Sequence, residues 1–215
     1  MLSVKTFVFN DLGVNTYVVY NENNDCVIID AGNNLKEEDE YIIGFIDRNG
    51  LKPMILLNTH SHIDHVMGNA ALAKYYGIPL ASHPIEKPFY DKVWAYAAAF
   101  GINFTQDRCL TPTIDLADGE IINIGDDKLQ VIFTPGHSPG HVCFYDENDG
   151  LLFSGDLLFH RNVGRWDLPG GDYNQLAKSL REVLYKLPDK TVVYCGHGIK
   201  TILGEEKRFN PEVRE

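Results

Sequence analysis

No apolar run in this 215-residue chain approaches the roughly 18 residues that cross a bilayer, so no membrane span is expected. The start, Met1-Leu2-Ser3-Val4-Lys5-Thr6, lacks a charged region followed by a long apolar stretch. That sets aside a secretory signal, and a cytoplasmic location is expected. Basic residues are in deficit: 19 Lys and Arg stand against 30 Asp and Glu, a formal net charge of −11 with a pI near 5.1. Phosphate backbones are held by clustered Lys and Arg, so nucleic acid is not an expected partner. The longest acidic run, Glu37-Glu38-Asp39-Glu40, reads as the solvated face of a helix. Cysteine is scarce. Cys26, Cys109, Cys143 and Cys195 form no C-x-x-C pair, and all but Cys109 sit in apolar, strand-like surroundings, where they read as buried thiols. Gly-x-Ser-x-Gly is missing, so no serine nucleophile elbow is expected. Internal repeats, linkers and low-complexity segments are missing too.

What is present is a chain that is 44% hydrophobic, enough for one sizeable domain over residues 1–215. Ser3–Asn10 and Asn15–Tyr20 read as a strand pair turning at Asp11-Leu12-Gly13, and Asp25–Asp30 as a third strand ended by the turn Asp30-Ala31-Gly32. Leu35–Asn49 carries Tyr41, Ile42, Phe45 and Ile46 at helical spacing, with Gly50 as its cap. Pro53–Asn58 reads as a buried strand, Met67–Tyr76 as a helix stopped by Gly77, and Ile78–Ala81 as a short strand. Residues 83–104 read as an aromatic-rich helical insertion, with Phe89, Tyr90, Trp94, Tyr96 and Phe100 as core packing. The stretch from Phe89 to Phe104 is also the candidate for a substrate groove or a homodimer contact. Two hairpins follow, Glu120–Ile124 with Leu129–Phe133 and His141–Asp146 with Leu151–Ser154. Tyr173–Leu187 is amphipathic, Thr191–Cys195 is the last expected strand, and the charged tail to Glu215 is expected to wrap the surface. Strands in an early and a late group, each closed by helices, suit two packed sheets with helices outside.

The chemistry gathers at Thr59-His60-Ser61-His62-Ile63-Asp64-His65, where three imidazoles and a carboxylate fall within six positions. Such groups are ligands for zinc and non-haem iron. On an extended loop His60 and His62 project to one side, and a tight turn into the next helix carries Asp64 and His65 towards a second point, which suits two metals. His137 is held in Thr134-Pro135-Gly136-His137-Ser138-Pro139-Gly140, just after a strand. Asp156 ends the apolar strand Phe153-Ser154-Gly155, and a carboxylate there can bridge two cations. His197 follows the strand Val193-Tyr194-Cys195, flanked by Gly196 and Gly198. The candidate ligands are thus His60, His62, Asp64, His65, His137, Asp156 and His197. His83 reads as a turn residue, His141 as packing or support, and His160 as support behind a ligand.

This order of ligands resembles the metallo-β-lactamase superfamily, in its glyoxalase II branch. The resemblance rests on His60-x-His62-x-Asp64-His65 followed by His137, Asp156 and His197, and spans most of the chain. Gly164-Arg165-Trp166-Asp167-Leu168-Pro169-Gly170-Gly171-Asp172 and Gly204–Pro211 resemble segments of short glyoxalase II-like hydrolases. Arg165 and Asp167 are expected to pair beside the site. The resemblance implies an α/β fold, a four-layer αββα sandwich of two mixed sheets flanked by helices. It implies one metal on His60, His62 and His137, a second on Asp64, His65 and His197, and Asp156 between them. The chain ends 18 residues after His197, so the resemblance is to a short form without the helical C-terminal domain that helps full-length glyoxalase II hold glutathione.

The expected activity is hydrolysis of a small-molecule thioester, such as an S-2-hydroxyacylglutathione, by a hydroxide shared between two divalent metals. Zinc is the first expectation, with iron or manganese as alternatives. Asp64 is both ligand and catalytic proton acceptor. The alternatives are a mononuclear-iron persulfide dioxygenase, a lactone or phosphodiester hydrolase, and a structural metal domain. The His65 and Asp156 pair disfavours antibiotic hydrolysis, since true zinc β-lactamases of the family typically place a cysteine among their ligands.

Overall fold

The computed structural model describes residues 1–99, 101–102, 104 and 108–214. Phe100, named above as core, lies outside them. Backbone contacts divide the chain into two compact units, residues 1–116 with 123–127, and residues 117–122 with 128–215. As expected, the fold is α/β with two mixed sheets and helices.

The first unit is built on a six-stranded sheet. Strands β1 (Ser3–Phe9), β2 (Val14–Tyr20) and β3 (Asp25–Ile29) pair antiparallel. Strands β4 (Lys52–Leu57), β5 (Leu80–Ser82) and β6 (Ile114–Asp115) then add in parallel. Parallel neighbours need a crossover, and helices α1 (Lys36–Arg48) and α2 (Asn69–Tyr76) provide the first two. Helix α1 starts where the Glu38 carboxylate accepts the Asn34 and Leu35 amides at 2.7 and 3.1 Å. Ile42 and Ile46, one turn apart, are fully buried on its inner face beside Ile28, Leu56 and Leu72. Two short helices follow, α3 (Lys87–Tyr90) and α4 (Val93–Ala99). Here the expectation of core aromatics needs correcting. Tyr90 is buried, but Trp94 and Tyr96 are 41% and 39% exposed. Val93 and Ala97, four apart, take the inward face of α4 and leave Trp94 and Tyr96 on its flanks.

A second six-stranded sheet has the order β14-β13-β10-β9-β8-β7 and lies in the second unit apart from the end of β7 and the first residue of β8. Its members in chain order are β7 (Ile121–Ile124), β8 (Asp127–Phe133), β9 (Val142–Asp146) and β10 (Leu151–Gly155). A small hairpin follows, β11 (Leu158–Phe159) with β12 (Asn162–Val163), then helix α5 (Tyr173–Lys178). Strands β13 (Val192–Cys195) and β14 (Thr201–Ile202) and helix α6 (Leu203–Phe209) complete the unit. Every residue of β9 and β10 is buried, as their apolar runs Val142–Tyr145 and Leu151–Phe153 lead one to expect. Beyond α5 the amphipathic stretch continues through a wide π-turn, Ser179–Val183, and a 3-10 turn, Leu184–Lys186. An α-helix drifts by about 40° every four residues. A wide turn counters that drift, and Leu176, Leu180 and Leu184 all remain fully buried.

The C-terminal segment corrects a second expectation. The last strand is β14, not the one ending at Cys195, and the charged tail folds into α6. Glu206 is fully buried there. It accepts from Thr201 Oγ1 at 2.6 Å, from the Arg161 amide at 2.9 Å and from the Arg161 guanidinium at 3.2 Å. Lys207 gives its Nζ to Asp189 and to the Leu187 carbonyl. Pairing of this kind is what permits charged side chains in an interior.

Candidate metal centre

In the first unit, β4 ends at Leu57 and the chain enters the ligand loop. Asp30, just past the end of β3, organises that loop. Its carboxylate accepts the Thr59 amide at 2.8 Å, the Thr59 hydroxyl at 2.7 Å, Asn58 Nδ2 at 3.4 Å and His65 Nδ1 at 3.0 Å. A carboxylate only accepts, so His65 carries its proton on Nδ1 and its lone pair on Nε2. The Thr59 hydroxyl spends its proton on Asp30 and therefore accepts from His60 Nδ1 at 2.9 Å, which fixes the same tautomer at His60. The rings of His60 and His62 meet edge-on with centroids 4.6 Å apart, and those of His60 and His65 lie 4.2 Å apart. Ile63–His65 forms a single 3-10 turn, and α2 begins only at Asn69. Asp64 Oδ2 stands 3.6 Å from His65 Nε2. Asp30, His60 and His65 also bring ligand-type atoms within 4.8 Å. With four donors already on Asp30, we assign it to orienting the two imidazoles.

In the second unit, His137 leaves the end of β8, Asp156 the end of β10 and His197 the end of β13. His137 Nδ1 lies 2.7 Å from the Arg165 carbonyl, which can only accept, so Nε2 again carries the lone pair. Asp156 Oδ2 stands 3.7 Å from His137 Nε2 and 3.6 Å from His197 Nε2, a carboxylate set between two imidazoles. The close approach depends on Gly164: a Cβ there would lie 1.7 Å from the Asp156 carbonyl oxygen and 2.9 Å from His137 Nδ1. Gly136 is as tightly placed, with φ +142° and a Cβ position 2.2 Å from the Leu176 amide nitrogen.

These separations test whether the donors fit a cation. Two ligand atoms on one tetrahedral metal, each about 2.0–2.1 Å from it, stand roughly 3.4 Å apart. The three carboxylate–imidazole pairs, at 3.6, 3.7 and 3.6 Å, are too long for hydrogen bonds and close to that spacing. With the Nε2 lone pairs of His60, His65 and His137 fixed by partners on Nδ1, the donor set fits divalent metal ions.

Other sequence expectations fall out residue by residue. Arg165 and Asp167 do pair, through two bonds of 2.8 and 2.9 Å, and this contact holds the Asp167 carboxyl below its ordinary range. His83 caps the turn Pro84–Glu86, as a turn residue should. His141 is buried with Nδ1 3.0 Å from the Thr134 hydroxyl. His160 is exposed rather than packed behind a ligand. With Phe159, Asn162, His197, Gly198 and Ile199 it lines a cavity of about 330 Å³. Cys195 is fully buried, and burial pushes its thiol up to about 12, far from nucleophilic. Reading the sequence missed Asp30 and Glu86. Asp30 carries the same signal as Asp156, an apolar strand ended by a carboxylate, but was read as a turn.

The metallo-β-lactamase superfamily model matches residues 9–197. The hydroxyacylglutathione hydrolase GloC of Haemophilus influenzae is 33% identical over 202 residues, 92% of this chain and 91% of its own. Two crystal structures align over nearly whole chains. BLEG-1 B3 metallo-β-lactamase has a TM-score of 0.88 at 33% identity, covering 98% of each chain. TTHA1623 in a di-iron-bound form has a TM-score of 0.87 at 39% identity, covering 97% of this chain and 99% of its own. The chain belongs to the metallo-β-lactamase superfamily. The fold of that superfamily implies divalent metal binding, and the donors described above suit it. Among the described residues no helix is long and apolar enough to cross a membrane.

Proposed function

We propose that this chain is a hydrolase of small-molecule thioesters working at a dinuclear metal centre. His60, His62 and His137 would hold one ion, Asp64, His65 and His197 the other, with Asp156 shared. The carrying observation is the Asp156 carboxylate, 3.6–3.7 Å from the Nε2 atoms of two histidines on separate loops. Kinship to a hydroxyacylglutathione hydrolase points to thioesters. When bound, a pair of divalent ions supplies Lewis acidity and a water of lowered pKa.

The chain's own groups do the rest. Asp30, Thr59 and the Arg165 carbonyl hold the Nε2 lone pairs in place. Asp64 takes the proton of the attacking water on its carboxylate. The cavity beside His197, walled by Phe159 and Ile199, seats one arm of the substrate. A thiolate, with a pKa of about 8.5, leaves without a dedicated acid. The nucleophile is water, since the nearest thiol, Cys195, is fully buried and out of reach of a substrate.

A second reading, β-lactam hydrolysis, draws on the likeness to BLEG-1 and stands against the His65 and Asp156 pair. The test is a substrate panel on metal-loaded protein: thioesters of several thiols, a chromogenic β-lactam, and oxygen uptake with a persulfide. Thioester turnover supports the proposal, provided His62→Ala and Asp64→Ala lose activity and metal together. Turnover of the β-lactam or the persulfide without thioester cleavage would replace it.

A further inference from the structure

A fully buried carboxylate stands behind the first ligand loop. Glu86 has 0% exposure. Its Oε2 accepts the Ser61 amide at 3.0 Å and, in a shorter bond, the Ser61 hydroxyl. Ser61 is the residue between His60 and His62, so fixing its amide and side chain fixes the segment that presents both rings. Burying a carboxylate is unfavourable unless donors or a cation compensate it. A dication on the flanking imidazoles would be such a compensation, and the carboxylate would favour it in return.

The same helical stretch reaches the loop a second time. Four residues on, Tyr90 is 3% exposed and gives its hydroxyl to Asn58 Oδ1 at 3.0 Å. Asn58 Nδ2 in turn donates to the His65 carbonyl at 3.0 Å. Glu86 and Tyr90, at i and i+4 across the 3-10 turn Pro84–Glu86 and α3, share one face. One grips the loop between His60 and His62, the other near His65. Lys87 between them points elsewhere and pairs with Asp115 at 2.5 Å.

We infer that Glu86 and Tyr90 are positioning residues for the metal loop, clamping it from the 3-10 turn Pro84–Glu86 and α3, and that the Glu86 charge raises metal affinity at His60 and His62. This rests on the dinuclear reading above but not on the thioester.

The test compares Glu86→Gln, which keeps size and removes charge, with Ser61→Ala and Tyr90→Phe. Zn²⁺ affinity is read by chelator competition, and the visible spectrum of the Co²⁺-loaded protein reports ligand geometry. Glu86→Gln should weaken zinc roughly 10–100-fold, the usual effect of losing a group that orients ligands. The Co²⁺ bands should shift in all three variants, whatever the melting temperature of the metal-free proteins. A merely structural role would move the melting point and leave the bands alone. Zinc affinity within twofold of wild type and an unshifted spectrum in Glu86→Gln and Ser61→Ala would overturn the inference. If Glu86→Gln does not fold, Ser61→Ala and Tyr90→Phe decide by the same criteria. A wild-type chain that binds no metal removes the dinuclear reading and this inference together. One that binds metal but cleaves no thioester removes only the substrate assignment.

Discussion

Asp30 holds a left-handed backbone at φ +52°, which few side chains tolerate, and asparagine is one of them. Asp30→Asn therefore removes the charge without forcing the turn. Loss of its hold on His65 and Thr59 should weaken metal binding by roughly 10–100-fold. A competition titration checks this, and unchanged affinity would show that the carboxylate is a turn residue after all. The buried thiols make a different prediction. Burial raises both Cys26 and Cys195 from 9.0 to about 12. Their folded values exceed the unfolded ones, so the stability they lend is complete below about pH 9 and is lost as pH rises towards 12. Urea midpoints should fall across that window, and less steeply in a Cys26→Ala, Cys195→Ala double variant. Identical slopes would contradict the assignment. The seven ligand candidates were legible because each follows an apolar strand and carries a metal-binding group. Glu86 was not, since a carboxylate that orients a loop through space has the local signature of a solvated helix, and at Asp30 the turn signal of Ala31-Gly32 outweighs the strand-end carboxylate.

Glycine sets how closely the loops of the second unit approach their ligands. Gly164→Ala would drive a methyl into the Asp156 carbonyl. It should cost about 1–3 kcal/mol in stability, as overpacking does, and displace Asp156 and His137. Denaturant unfolding and metal content together check this, and a neutral result in both would show that the loop is soft. Leu180 is fully buried in the wide turn that prolongs α5, and Leu180→Ala should cost roughly 2–5 kcal/mol by the same measurement. Helix α1 and the long hairpins were readable because their apolar periodicity runs for two turns or several strand residues. Strands β6, β11, β12 and β14 have two residues each, too few for any period to register. Helix α6 hid behind its charges. Composition marked it as solvated tail, whereas Arg161, Asp189 and Thr201, distant or unremarkable in sequence, supply the partners that bury Glu206 and Lys207.

Each of the two mixed sheets ends its strands in ligand-bearing loops, four candidate ligands from the first unit and three from the second. The most direct measurement is metal content per chain, taken alongside thioester turnover on the same purified sample, before and after chelation. Two divalent ions per chain are predicted, with turnover lost on chelation and restored by metal. Undiminished thioester cleavage by a metal-free chain, or a loaded chain holding no more than one ion at full activity, would contradict the account.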